Sequence, residues 1–143
     1  MRLYLCRPAR VEEVRVVRAG LRRMLRAVGA TDDVTFQVLV ASGEACGNAI
    51  RHPIEPSRAE FEVRATADRE QVRVIVRDFG RWRDEPSMEG DRGAMGLALM
   101  RSLMDDVRLR PTGSGTFVRL LRTLDGSISR PDSRVAPLTT TRS

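Results

Sequence analysis

Three polar side chains recur at one-turn spacing near the end of a segment that otherwise predicts a core helix. Glu44, Asn48 and His52 lie in the stretch GEACGNAIRHP, after an apolar run that begins at Val34. Residues four apart on a helix lie on nearly the same face. A carboxylate there could accept a proton from a hydroxyl, and an amide oxygen one turn away is a hard ligand that suits Mg²⁺. The alternative is that these groups are solvated and that His52 is a helix C-terminal cation.

A second candidate is the acid that ends a predicted strand. Val72, Val74 and Val76 share one face of this strand, and Asp78 falls on the same face. A carboxylate that points toward a core is costly unless a partner pairs with it. Gly80 follows two residues later and would let another group approach closely. The alternative is that Asp78 caps a turn.

A glycine-rich segment is the third candidate. Gly90, Gly93 and Gly96 open a predicted helix over residues 94–104. Unpaired backbone N–H groups and the helix dipole at such a point suit an anion, especially a polyphosphate. Arg92 adds a planar fork that matches phosphate geometry. A flexible loop remains the alternative explanation.

The elements that must position these residues follow from hydrophobic periodicity and turn residues. The pattern predicts a strand at 2–6, helices at 11–28 and 31–51, hairpin strands at 61–67 and 72–78, a loop at 79–92, a helix at 94–104 and a hairpin at 105–122. This order predicts an α+β two-layer sandwich, with a mixed, mostly antiparallel sheet covered on one face by helices. Residues 1–124 would form the domain, and the polar stretch 125–143 predicts a disordered C-terminal tail.

Composition narrows the class of protein. A chain of 143 residues fits one domain, and no apolar run approaches the roughly 20 residues of a membrane span. The first residues lack the pattern of a signal peptide, so we expect a cytoplasmic protein. With two cysteines and one histidine we expect no structural zinc, and Cys46 is interpreted as a small buried hydrophobe. All 25 basic residues are arginines interspersed with acids, so nucleic-acid binding is only a remote alternative.

Taken in order, the three motifs resemble the N, G1 and G2 boxes of the GHKL ATPases. The matching residues are Glu44-x-x-x-Asn48, then Asp78-x-Gly80, then the glycine segment that ends in Gly96-Leu97. The stretches EACGNAIRHP, VRDFGRWRDEP and GLALMRSLMDDVRLRPTGSGTFVRLL are typical of one branch of that superfamily, the anti-sigma factor serine/threonine-protein kinases. The resemblance covers about residues 3–122 and implies the Bergerat-type ATP-binding fold.

The resemblance implies a role for each matching residue. Glu44 would be the general base that deprotonates a serine or threonine hydroxyl of a protein substrate, and Asn48 would ligate the Mg²⁺ that bridges the phosphates. Asp78 would accept the exocyclic amine of adenine, with Gly80 letting the base lie against the strand. The other residues expected to bind ATP are Arg92, Gly93, Met95, Gly96, Leu97 and Thr116, and residues 81–92 would form a lid.

The resemblance therefore implies an ATP-binding anti-sigma factor that is also a protein-serine kinase. It would bind a sigma factor in one state and phosphorylate a STAS-type anti-sigma factor antagonist in another, as in bacterial partner switching. Relatives of this type are often homodimers. One alternative is a non-catalytic module of the same fold that only sequesters a partner, because Ala94 stands where the usual pattern has a phosphate-loop glycine. The remote alternative is a basic nucleic-acid-binding protein.

Overall fold

A five-stranded sheet and a layer of helices on one of its faces make up the fold. They are seen in a computed structural model that describes residues 1–51, 53, 55–80 and 91–124, with the backbone alone described at 91–94. The strands are β1 (Arg2–Pro8), β2 (Glu60–Ala67), β3 (Gln71–Asp78), β4 (Asp106–Thr112) and β5 (Gly115–Thr123), and the helices are α1 (Val14–Ala27, after a 3₁₀ turn at Val11–Glu13), α2 (Asp32–Arg51) and α3 (Asp91–Leu103).

The strand order across the sheet is β1-β2-β3-β5-β4. All four pairings between the described strands are antiparallel, so the expected α+β sandwich is confirmed and its sheet is antiparallel throughout rather than mixed. Short turns join β2 to β3 and β4 to β5, and a hairpin connection of this kind makes neighbouring strands antiparallel.

Alternating residues of the strands form the sheet side of the core. Val72, Val74 and Val76 of β3 are almost fully buried, as their spacing predicts. Helix α2 packs on this strand, and α1 packs on α2, β1 and β2 with its buried face while its arginines face outward. Each such apolar side chain contributes about 1.5–3 kcal/mol when it is fully buried. The core therefore holds the helix layer firmly on one face of the sheet.

The ends of the first two helices follow from local chemistry. Gly29 has a φ of 84°, the left-handed conformation that commonly ends a helix, and it follows α1. The Oγ1 of Thr31 accepts a hydrogen bond from the N–H of Val34 at 3.2 Å, which caps the start of α2.

The glycine-rich segment is helical earlier than the sequence predicts. Helix α3 begins at Asp91, so Arg92 and Gly93 lie in its first turn rather than in a loop that precedes it. An acid in the first turn interacts favourably with the helix dipole, and an interior glycine costs only about 1 kcal/mol. His52, most of the expected lid (residues 81–90) and the expected tail (125–143) lie outside the described residues. Within the described part of the chain, no helix is both long and apolar enough to cross a membrane.

The sheet face that carries none of the described helices is rich in arginine. The strand register places seven arginines and three acids on it: Arg2, Arg64, Arg73, Arg77, Arg108, Arg110 and Arg119, with Glu60, Glu62 and Asp106. Two aromatic rings on this face are covered by arginines, with the guanidinium of Arg64 5.1 Å from the centre of the Tyr4 ring and that of Arg77 5.2 Å from Phe117. Arginines that are scattered along the sequence are thus gathered on one surface.

Candidate active site

The carboxylate of Asp78 is held by one of its two oxygens at the end of β3. Its Oδ1 accepts the backbone N–H of Gly80 at 3.0 Å and the backbone N–H of Thr116 at 3.1 Å. Its Oδ2 has no hydrogen-bond partner among the described residues, and the residue as a whole is half-buried. One oxygen is therefore fixed by the backbone while the other can accept a donor from a ligand.

Burial makes this carboxyl harder to ionise than a solvated one. Loss of solvation raises the pKa of Asp78 above its ordinary value, and the two backbone N–H bonds and the charge of Arg77 oppose that shift. A half-buried acceptor with one unpaired oxygen discriminates strongly in favour of a ligand that can donate a hydrogen bond to it.

The side chain of Phe79, the residue after Asp78, is held by two arginines. The buried ring of Phe79 has the guanidinium groups of Arg58 and Arg77 each 4.4 Å from its centre. Its carbonyl oxygen accepts the N–H of Ser57 at 2.9 Å. Cation–π contacts and this hydrogen bond hold the backbone from residue 78 to residue 80 in place, so the acid has a rigid support.

Gly115 lets the β4–β5 turn approach the end of β3. A Cβ built on this residue would overlap the carbonyl oxygen of Asp78, and its φ of 146° is one that side-chain-bearing residues rarely adopt. This close approach brings the N–H of Thr116 to the Asp78 carboxylate. Sequence analysis missed the role of Gly115, although a glycine directly before Thr116 at a predicted turn was a usable signal.

Glu44 and Asn48 meet helix α3 at Gly96. A Cβ built on Gly96 would lie 3.1 Å from Oε2 of Glu44 and 3.7 Å from Nδ2 of Asn48. Gly96 therefore leaves room for the polar ends of both side chains where α2 and α3 pack together. The first and third sequence motifs are joined at this point.

The second motif lies at the same end of the molecule. Helix α2 ends at Arg51, and the chain then leads to β2, whose second residue, Phe61, is paired with Asp78. The carboxyl end of β3 and the carboxyl end of α2 are therefore close to the same edge of the sandwich. Asp78 thus lies toward the end of the sandwich at which α2 finishes.

The remaining predicted site residues are distributed around these groups. Gly80 is buried and Thr116 is half-buried next to Asp78, whereas Met95 is 67% exposed and Leu97 packs partly against the core. Arg92 and Gly93 are placed by their backbone in the first turn of α3. The first four N–H groups of a helix have no partner within that helix, so this turn presents donors suited to an anion.

Cys46 lies between Glu44 and Asn48 in the sequence but is closed off from their polar groups. It is fully buried, and burial raises the pKa of its thiol to about 12. A thiol in this state is not a nucleophile near neutral pH, so Cys46 is a core residue, as expected from the sequence.

Comparison with known proteins decides the family. Residues 7–122 match the model of the histidine kinase-like ATPase domain, which is most of the chain. The chain belongs to this family. It is 31% identical over 134 residues to proteins named serine-protein kinase RsbW from Bacillus subtilis and Bacillus velezensis, and each alignment covers 83% of this chain and 83% of the relative. The match to this family confirms the GHKL resemblance.

Solved structures show the same fold. The RsbU and RsbW domains of a Mycobacterium tuberculosis protein superpose with a TM-score of 0.70 at 26% identity, covering 86% of this chain. This chain spans 32% of that longer one. The SiaB–SiaC complex from Pseudomonas aeruginosa gives a TM-score of 0.61 at 17% identity, which is a likeness of fold alone.

Proposed function

We propose that this chain is an ATP-dependent protein-serine kinase that also acts as an anti-sigma factor in the cytoplasm. The observation that carries the proposal is the meeting of Glu44, Asn48 and Gly96, because it gathers a base, an amide ligand and a gap without a side chain. The relatives named serine-protein kinase support the same activity.

The adenine of ATP would be recognised at Asp78. Its Oδ2 would accept the exocyclic amine, while Oδ1 stays on the N–H groups of Gly80 and Thr116. A hydrogen bond to a charged acceptor contributes about 1.5–3 kcal/mol. Gly80, which has no side chain, leaves space for the base against the end of β3.

The phosphates would lie between α2 and the start of α3. Backbone N–H groups of the first turn, the Arg92 guanidinium and the residues around Gly96 would hold them, with Gly93, Met95 and Leu97 shaping that turn. The amide oxygen of Asn48 suits Mg²⁺, and Gly96 leaves room for a ligand beside it. When bound there, the ion would neutralise charge on the phosphates.

In the proposed reaction, Glu44 is the general base. Its carboxylate accepts the proton of a substrate serine hydroxyl as that oxygen forms a bond to the γ-phosphorus. The bond from the γ-phosphorus to the bridging oxygen breaks, and ADP leaves with the electron pair. A base placed in this way contributes about 10²- to 10⁴-fold to the rate.

The partners are proposed from the same family relationship. A STAS-type anti-sigma factor antagonist would be the phosphorylated protein, a sigma factor would be the sequestered one, and the kinase would form a homodimer. Sedimentation of the chain alone and with each candidate partner tests these assemblies. A chain that stays monomeric and binds neither partner would contradict this part of the proposal.

Transfer of labelled phosphate from γ-³²P-ATP to a candidate antagonist tests the activity. We expect Glu44→Gln to lower the transfer rate by about 10²- to 10⁴-fold while ATP binding is kept. Glu70→Gln, at an exposed acid in the β2–β3 turn, is the matched control and should label like the wild type. Equal labelling by wild type and Glu44→Gln would remove Glu44 from the role of base.

A further inference from the structure

A cleft beside Glu44 has no part in the proposed nucleotide site. It has a volume of about 400 Å³ and lies between the start of α1 and the second half of α2. Its charged lining residues are Arg15 and Arg18 of α1, Glu44 and Arg51 of α2, and Glu12 of the 3₁₀ turn before α1. Glu44 thus borders α3 at Gly96 and also borders this cleft, so the base is in reach of both spaces.

Two glycines of α2 form the floor of the cleft. Gly43 and Gly47 are four residues apart and therefore lie on nearly the same face of the helix. A Cβ on Gly43 would lie 2.6 Å from Nη2 of Arg18, and one on Gly47 would lie 2.8 Å from Nη2 of Arg51. Interior glycines weaken a helix. Here a side chain at residue 43 would displace the guanidinium group of Arg18, and one at residue 47 would displace that of Arg51.

The three cleft arginines outnumber the two acids, Glu12 and Glu44, that line the cleft with them. Among the described residues, Arg15, Arg18 and Arg51 form no ion pair, whereas Arg7 is paired with Glu13 at 2.7 Å close to the same turn. All three arginines are exposed to solvent. Their planar forks match carboxylates, and pairs of this kind are strong when both partners are ionised.

We infer that this cleft binds the part of the protein substrate that carries the phosphoacceptor hydroxyl, and that it selects acidic residues next to that hydroxyl. The inference rests on the proposed kinase activity and adds a substrate preference to it. Carboxylates of the bound segment pair with Arg15, Arg18 and Arg51. The serine between them then faces Glu44 at the border between the cleft and α3.

Two synthetic peptides test this preference without any reaction. Both have a central serine, and they differ only in Asp and Glu against Asn and Gln at the neighbouring positions. Fluorescence anisotropy with the full chain and no nucleotide should show the acidic peptide binding about tenfold more tightly at low salt. Equal binding of the two peptides, or no binding of either, would overturn the inference.

Variants show whether the cleft is the binding place. Arg51→Ala and Gly47→Ala should each weaken the acidic peptide about fivefold or more, the second by displacing Arg51 from its floor. Arg26→Ala is the matched control, since Arg26 is an exposed arginine in the last turn of α1 and does not line the cleft. An equal loss in Arg26→Ala would mean general charge attraction and would overturn the inference.

Two further readouts separate this inference from the kinase proposal. ATP affinity should be the same in Arg51→Ala and in the wild type; a parallel loss would assign the arginines to phosphate binding and overturn the inference. Acid-selective peptide binding without phosphate transfer would leave the cleft assignment standing and refute the kinase activity. Phosphate transfer to both peptides at the same rate and with the same KM would support the kinase activity and refute the preference for acidic residues.

Discussion

Replacing Asp78 by asparagine should abolish nucleotide recognition while leaving the fold intact. The oxygen that accepts the N–H groups of Gly80 and Thr116 must remain an acceptor, so the amide oxygen of the new side chain takes that position. Its NH₂ group then stands where Oδ2 stood and faces the adenine amine, donor against donor. The substitution therefore keeps the hydrogen bonds to the backbone and replaces the acceptor for the adenine amine by a donor.

The size of the effect follows from these contacts. Loss of a charge-assisted hydrogen bond costs about 1.5–3 kcal/mol, and an unpaired donor left in the site costs about 1–3 kcal/mol more. The sum corresponds to roughly a 10²- to 10⁴-fold loss of ATP affinity. Isothermal titration with ATP and Mg²⁺ measures it, and thermal unfolding should show a stability equal to or above that of the wild type, because a desolvated charge has been removed.

Asp68→Asn is the matched control for this experiment. Asp68 also accepts two backbone N–H groups through Oδ1, at 2.8 and 3.0 Å, but it lies in the exposed turn at the other end of β3. It should bind ATP normally and be less stable, since those bonds lower the pKa of Asp68 and favour its ionised form. Wild-type ATP affinity in Asp78→Asn would refute the assignment of Asp78 to adenine.

Three further predictions concern the glycines and pH. Gly96→Ala should slow phosphate transfer at least about tenfold, because the added Cβ presses on Glu44. Gly113→Ala is the control and should have no effect, since no atom lies within 4 Å of its added Cβ. Equal transfer rates in the two variants would contradict the close packing at Gly96. Gly115→Ala should lower the free energy of unfolding in urea by about 2 kcal/mol or more, because the turn must move away from Asp78; an unchanged midpoint would contradict this. The folded-state pKa of Asp78 is raised, so its ionised form destabilises the fold, and that cost is relieved as pH falls through the raised pKa toward 3.8. Because protonation of Asp78 removes the charged acceptor for the adenine amine, ATP affinity in calorimetric titrations should fall as the pH is lowered through the same window. An ATP affinity that does not change across that window would contradict the need for an ionised carboxylate.

Much of the fold could be predicted from the sequence because its signals are local. Two-residue alternation in 61–67 and 72–78 predicts the central hairpin, and apolar spacing in α1 predicts which side is buried. The candidate site was predictable for a similar reason. Spacing places Glu44 and Asn48 on one helix face and Asp78 on the buried face of β3, whereas their roles in binding ATP came from the family resemblance and stay predictions.

The features that the sequence did not predict all depend on contacts between distant elements. Gly115 matters because of the carbonyl oxygen of Asp78, and the Gly96 gap matters because α3 packs on α2. Arg122 is 2% exposed on the inner face of β5, where its Nη2 donates to Gln37 at 2.7 Å and its Nη1 lies 3.8 Å from Asp105. A buried arginine of this kind is stable only with such partners, and the partners come from other parts of the chain.

The most direct test of the account is a crystal structure of the chain with Mg²⁺ and a non-hydrolysable ATP analogue. The account predicts the adenine amine within hydrogen-bond distance of the Asp78 carboxylate, the ion on the Asn48 amide oxygen, and the γ-phosphate next to Glu44. A base bound elsewhere, or the Asp78 carboxylate turned into bulk solvent with no ligand beside it, would contradict it.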